Sequence, residues 1–484
     1  MAGNVSGRSE LIKAKVLEIL ATFTKEELKQ FSDFLCSPLI NKRQMIRDLL
    51  ELYRKYHPEF EDRAFIKEKI FGKLFPGKEY SDEMFRNLNS QLLKQAEDFL
   101  SYINFTADRH SANTHLLKEL LKRNLYPQFE KNFREAEELL ANSSARDQDF
   151  FNRSYELYLL KDIYNSFRNS FSKQDIQKGE RDLLISFAIK ILEIQNYILY
   201  ECRLLGIDRS LYLSDKFTED LMKNLPNDVT DLPQVKIHYN AFMLEKTDDS
   251  KYFSELRRLV TQHGELLEKE KRYNKYIDLI EHLKRSKSMN NPETVKEVFE
   301  LRKEIIEKGL YTEHFMTNMF FLNMVKSGSR LREFEWVSGF IENYNSLIAE
   351  DYRQSTYRLA LAVLHFEMKE YDKALSHLAR VKYEDNYYNL EVRNLTARIY
   401  FEKDETDLLN DYLNSYRIYV SKNRALGKRE IESHTHFISI VAKLMRIRES
   451  GKSYKLDELI PGEKKREFIN KAWVVEKMKE LEER

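Results

Sequence analysis

Glycine and proline are scarce, at 13 and 8 in 484 residues. An all-β chain needs a turn built on such residues about every 8 to 12 positions, so that class is excluded and helix is expected nearly throughout. Cysteine is scarcer still. Cys36 and Cys202 stand 166 positions apart, which gives no disulfide framework and fits buried thiols in a reducing compartment. Neither sign of charge is in excess: 80 Lys and Arg face 79 Asp and Glu, so no global field gathers nucleic acid or an anionic membrane. The sequence reads as having no run of roughly 18 apolar residues to span a bilayer, and the polar start MAGNVSGRSE lacks the apolar core of a secretion signal. The expected location is the cytoplasm.

Catalytic signatures are also missing. The chain contains no HExxH, GxGxxG, GxSxG or complete GxxxxGK[ST], and neither cysteine sits in a nucleophile motif. Gly451-Lys-Ser453 has the tail of a phosphate loop, but Arg446 stands where the first Gly belongs, so it reads as a turn. His434 and His436 are the one close histidine pair, and a spacing of two puts their rings about 200° apart on a helix, where a zinc pair wants three or four. No catalytic residue, cofactor site or metal site is expected, and the chain reads as a non-enzyme.

What the sequence does contain is amphipathic helix. Hydrophobic residues make up 42% and charged residues 33%, which suits a large core covered by solvated helix faces. The first 105 residues read as a separate helical unit. A first helix is expected near Glu10 to Ala21. Thr24-Lys-Glu-Glu27 is a capping box opening a second helix, which Ser37-Pro38 ends. A third, Lys42 to Tyr56, carries the stripe Met45, Leu49, Leu52 and Tyr56, and Pro58 stops it. Ser81 caps a long helix striped by Phe85, Leu88, Leu92, Ala96, Phe99 and Ile103. Arg86, Asn87 and Gln91 on that helix would face bases in a DNA-reading module, but 17 basic and 16 acidic residues in this unit leave only +1, so a packed helical cap is the stronger reading.

Beyond residue 105 helices alternate with short turns. Candidate hairpins are 112 to 141, 147 to 206, 209 to 246, 250 to 289 and 293 to 327. From Ser355 to Lys422 a constant offset of 35 relates Ala362 to Ala397, Tyr371 to Thr406, Ala374 to Leu409 and Leu378 to Leu413. A fixed period of this size means stacked hairpins, since one hairpin cannot bury its apolar face alone. Setting Phe334 against Tyr371, Val337 against Ala374 and Ile341 against Leu378 gives an offset of 37 and a more distant copy.

Leu361 and Ala362, then Tyr371, Ala374 and Leu378, give this stretch a resemblance to the tetratricopeptide repeat, strongest over residues 355–422. Arg358 and His365 replace its usual aromatics, the closing Pro is absent, and Thr406 and Leu409 depart from it in the second copy. The resemblance implies an all-α fold: an α-solenoid of stacked hairpins over 106–462, degenerate before about 330, following the N-terminal unit 1–105 and closed by a capping helix at 463–484. That last helix carries Phe468, Ala472, Trp473, Val475, Met478 and Leu481.

The family binds peptides or partner proteins on its concave face, and the implied function here is a protein-interaction scaffold. The implied partner site is an apolar groove of Leu359, Val363, Phe366, Arg398 and Phe401, with Thr356 beside it; the competing reading buries Phe366 between hairpins. The family's carboxylate clamp falls on Leu359, Val363, Asn394 and Arg398, which do not supply its usual Lys and Asn set. The second functional reading is a nucleic-acid-binding regulator using the N-terminal helices or the segment 417–455. There Arg417, Lys422, Arg424, Lys428, Arg429, Lys443, Arg446, Arg448, Lys452 and Lys455 outnumber Glu430, Glu432 and Glu449, for a net +7. A solvated helix face answered by nearby acids is the plainer account of that excess. Nucleic acid and membrane are therefore not the expected partners; oligomeric state stays open.

Overall fold

The computed structural model describes residues 12–61, 65–208, 215–286, 291–311, 316–382, 386–450 and 468–482. The fold is all-α, with twenty-three α-helices and no β-strand among the described residues. The chain divides into two compact units: Met1–Ser143 with Arg153–Glu180, and Ser144–Asn152 with Arg181–Arg484. The first unit therefore runs well past residue 105.

The first unit opens with α1 (Lys15–Thr22), α2 (Lys25–Cys36), α3 (Gln44–Arg54), α4 (Lys67–Leu74) and α5 (Asp82–Ala107). The capping box forms as expected: the Glu27 amide donates to the Thr24 hydroxyl at 3.1 Å and the Thr24 amide to the Glu27 carboxylate at 2.7 Å. Ser81 caps α5 through the Met84 amide. Phe85, Leu88, Leu92, Ala96 and Phe99 of α5 are buried, and Ile103 is half-buried. In α3 the buried face is Ile46, Leu49, Leu50 and Tyr53, while Met45, Leu52 and Tyr56 only flank the core. The expected stripe was centred too far round the helix because Met45 and Tyr56 are apolar letters at the edge of a wider face. Next come α6 (Arg109–Lys122) and α7 (Tyr126–Ala141), an antiparallel pair. The first expected helix falls partly on residues 1–11, which lie outside the described residues.

The helices α8 (Gln148–Phe167) and α9 (Lys173–Leu205) carry the chain into the second unit. An 18-residue window of α9 has a mean hydropathy of 1.4, long and apolar enough to cross a membrane by length and composition, with 44% of it buried inside the chain. This corrects the expectation that no such run exists. Lys190 and Glu193 interrupt the apolar letters and hid it.

The second unit continues through α10 (Asp215–Asn224), α11 (Asn227–Thr230), α12 (Pro233–Thr247), α13 (Ser250–His263), α14 (Lys269–Ser286), α15 (Pro292–Glu307), α16 (Asn318–Arg330) and α17 (Phe334–Tyr344). It ends with α18 (Glu350–Glu367), α19 (Tyr371–Leu378), α20 (Asn386–Glu402), α21 (Thr406–Lys422), α22 (Lys428–Ser450) and α23 (Lys471–Glu482). From α14 to α22 consecutive helices pack on one another, and α18 also packs on both α16 and α20. One apolar core runs from Phe299 to Met478. Ala362, Ala374 and Ala397 are fully buried in it, as small residues at helix crossings should be.

The turns that end α16, α18 and α20 are built alike, on the left-handed cap that also ends α6 at Asn124 and α15 at Gly309. Arg332, Lys369 and Asp404 adopt left-handed φ values of 62°, 63° and 60°. After each comes a glutamate, and the amides of Glu333, Glu370 and Glu405 reach back to the carbonyls of Gly328, His365 and Tyr400 at 3.0, 2.8 and 3.0 Å. This is the six-to-one bond of a Schellman helix end, which satisfies carbonyls the helix leaves open. The turns recur 37 and 35 positions apart, the offsets that align the apolar residues. Gly328 is required where it stands, because a Cβ there would lie 2.5 Å from Val337 and 2.9 Å from Phe299.

Candidate functional site

A cavity of about 410 Å³ opens between the C-terminal halves of α18 and α20 and the start of α23. Each helix contributes by its periodicity. Val363 and Phe366 lie one turn apart on α18, Asn394 and Arg398 one turn apart on α20, and Trp473 and Lys477 one turn apart on α23.

Arg398 sits at the centre. Its guanidinium lies 4.2 Å from the centre of the Phe366 ring and 5.5 Å from that of Trp473, and it bonds Glu367 at 3.4 Å. Burial pulls its pKa below the ordinary arginine value, with Glu367 pulling the other way. Glu402 ties the C-terminal helix in: it accepts from the Trp473 indole at 2.6 Å and pairs with Lys477 at 3.0 Å. Burial works to lower the Lys477 pKa, but its bonds to Glu480 and Glu402 hold it above the usual lysine value. The Asn470 amide donates to Asn394 at 2.6 Å. On the opposite wall Lys326 pairs with Glu391 at 2.8 Å. Burial pushes the Tyr371 hydroxyl up to about 12, with Glu402 adding to the shift. Six basic and four acidic side chains line the cavity, and Arg330 and Lys369 are exposed at its rim.

Of the residues expected from the sequence, Val363, Phe366 and Arg398 come together here, whereas Leu359 and Phe401 do not line the cavity. Leu359 is fully buried in the core, and Phe401 is covered by Trp473 and by the Arg448 guanidinium at 4.2 Å. Thr356 is buried against the Tyr388 hydroxyl. Phe366 itself is 5% exposed, so it is a core residue whose ring edges a cavity. Sequence reading missed Trp473, Lys477 and Glu402 as cavity residues; the apolar stripe of α23 was visible, but what it lies against was not.

The segment 417–455 is partly answered within the fold, since Arg448 pairs with Asp404 at 2.7 Å and donates to the Phe401 carbonyl at 2.6 Å. Gly451-Lys-Ser453, Lys452 and Lys455 lie outside the described residues. His434 bonds the Tyr416 hydroxyl at 2.5 Å, while His436 packs on Phe468 at 5.0 Å, so the two rings serve different neighbours. Among the described residues no group of three His, Cys, Asp or Glu is placed to hold a metal. The lining of the cavity contains Glu, Lys, Arg, Tyr and Asn but no His, Cys or Ser, so no nucleophile and imidazole base meet there.

A second polar cluster lies buried deeper in the second unit. His238 of α12 is 1% exposed, 3.7 Å from Glu193 of α9. Lys271 pairs with Asp147 at 3.1 Å and with Asp149 at 2.8 Å, and Lys275 pairs with Asp278 at 2.7 Å. Burial, and then Lys275 and Lys271, push the His238 pKa well below 6.5 and keep it neutral. Burial raises the Glu193 carboxyl.

No family model matches the chain, and no curated protein or solved structure matches it.

Proposed function

We propose that this chain is a non-enzymatic interaction protein: an array of tetratricopeptide-like hairpins that holds a peptide or protein segment in the cavity between α18, α20 and α23. The observation that carries this reading is the cavity itself, with an apolar wall of Val363 and Phe366, a half-buried guanidinium at Arg398, and an excess of basic over acidic groups. Arginine and aromatic side chains in a desolvated pocket dominate interface energies, and they need no cofactor to do so. The recurrence of one turn at Arg332, Lys369 and Asp404 supports a solenoid of repeated hairpins. The net basic lining favours a partner segment bearing carboxylates.

The test is capture of partners from native lysate with wild type and with a rim variant, Arg330→Glu with Lys369→Glu, followed by cross-linking and mass spectrometry. Both rim residues are exposed, so the variant keeps the core. The expected result is a partner that cross-links near α18 and α20 and whose affinity falls roughly tenfold or more in the variant. Cross-links confined to other helices, or an unchanged affinity, would overturn the reading. A steep loss of binding to mixed-sequence DNA with rising salt would favour the nucleic-acid alternative instead.

A further inference from the structure

The helix α9 has two apolar faces, and only one is covered. Ile185, Ala188, Ile189, Leu192 and Leu199 are buried against α12 and its neighbours. On the other side Leu183, Phe187, Ile194, Tyr197 and Leu204 are between 41% and 65% exposed. With Lys190 and Glu201 they form an unbroken stripe spaced 4, 3, 4, 3, 4 and 3. That is the spacing of a coiled-coil seam, sustained over about 32 Å of helix. A lone surface helix has no use for such a seam, because scattered apolar residues would not keep register over three heptads.

The two polar members of the stripe identify the occupant. Lys190 has an exposed side chain, with Glu193 no nearer than 4.0 Å, and Glu201 shares a hydrogen bond with the exposed Tyr197 hydroxyl. When two such helices lie antiparallel, seam positions pair in layers across the axis. The register that sets Phe187 against Leu204 and Ile194 against Tyr197 also sets Lys190 of one helix against Glu201 of the other, twice by symmetry. A parallel pair would set Lys190 on Lys190 and Glu201 on Glu201, which repels in both layers. Antiparallel registers shifted by a heptad break the pair: one sets Lys190 against Ile194 and Glu201 against Leu183, and the other sets Glu201 against Tyr197 and carries Lys190 past the helix end at Leu205. The register that pairs Lys190 with Glu201 matches the six seam positions from Phe187 to Leu204, leaves Leu183 beyond the overlap, and is isologous, as a twofold dimer requires.

We propose that the outer face of α9 is a self-association surface on which a second copy of this chain docks antiparallel, with Lys190 of each copy paired to Glu201 of the other. The surface lies apart from the cavity described above and does not depend on the function proposed for it.

The experiment measures the mass of the full chain in solution at micromolar concentration, by sedimentation and light scattering, for wild type, Lys190→Glu, Glu201→Lys and the double swap. Far-UV circular dichroism and melting check that each variant is folded, as expected for changes on a solvent-facing stripe. The wild type should be a dimer. Each single swap creates two like-charge layers and should weaken dimerisation roughly tenfold or more, and the double swap should restore it. A monomeric wild type overturns the proposal, including one whose α9 face instead binds phosphatidylcholine vesicles. So does a dimer that ignores the single swaps, as a parallel pair or a different face would, or one that the double swap fails to restore.

Discussion

The bundle α1–α5 and the region α18–α23 are both helical and well packed, but they bury different chemistry. In the bundle the interior is aromatic: the Phe99 ring lies 5.6, 5.2 and 5.4 Å from Phe23, Phe31 and Phe34. A buried polar contact there is neutral, the Tyr53 hydroxyl on Asn89 at 2.6 Å. Around the cavity of α18–α23, ionised groups are drawn inward instead: Arg398 between two rings, and Lys477 on Glu402. Burying charges costs stability unless they are paired, and even paired they add little over apolar residues of the same volume. The bundle is built as a core, and the second region tolerates a cost that a core alone would not require.

That contrast is sharpest in large-to-small changes. Phe99→Ala should destabilise the chain by about 3 to 5 kcal/mol, read as a shift of the urea midpoint, because three rings lose their common neighbour. Phe366→Ala should fall in the same range, since the ring is 5% exposed, and should in addition free the Arg398 guanidinium. A loss near zero for Phe366→Ala would return it to the solvent side of the groove.

Crowding changes come next. Gly328→Ala and Ala374→Leu should each cost about 1 to 3 kcal/mol, because both sites are closed by a neighbouring helix. An unchanged urea midpoint for Ala374→Leu would remove it from the hairpin core.

Acid tests a third place, the buried cluster around His238 of α12 and Glu193 of α9, which belongs to neither region. The folded-state pKa of His238 is depressed below its ordinary 6.5, so the unfolded chain takes up the proton first. Its contribution to stability is complete above 6.5 and is lost as pH falls toward the folded value, with a slope of at most about 1.4 kcal/mol per pH unit. Glu193, whose pKa is raised, acts with the opposite sign at pH values above its ordinary 4.5. The measurement is therefore a difference: stability should fall less between pH 6.5 and 5.5 in His238→Gln than in wild type. Equal slopes would mean that His238 is protonated in the fold. The smallest effect belongs to the bundle, where Thr24→Ala removes one side of a capping box and should cost about 1 kcal/mol.

Local signals were legible because their causes are local. Thr24 with Glu27, Ser81 before α5, and the α5 stripe need only neighbours within two turns, and the structure places them as their spacing requires. The small residues Ala362, Ala374 and Ala397 were legible through their offset alone. The Glu333, Glu370 and Glu405 turns carried a signal that could have been read too. Each glutamate follows a residue held left-handed, at the same offsets as the apolar positions, but Arg, Lys and Asp are not the Gly that usually marks such a turn. Of the expected groove, Val363, Phe366 and Arg398 met at one cavity, while Leu359 and Phe401 went into the core. A helix with apolar letters on several faces does not say which face a neighbour will cover.

The sequence by itself determined an all-helical chain, the ends of many of its helices, and the period relating three hairpins, because turn chemistry and helical periodicity act over a few residues. Only the tertiary structure decided which faces are covered. It laid Trp473 and Lys477 against Glu402, some seventy positions earlier, buried His238 beside Glu193, and left one side of α9 open. Burial depends on which distant helix arrives, and that is settled by the packing of the whole unit rather than by any stretch of letters.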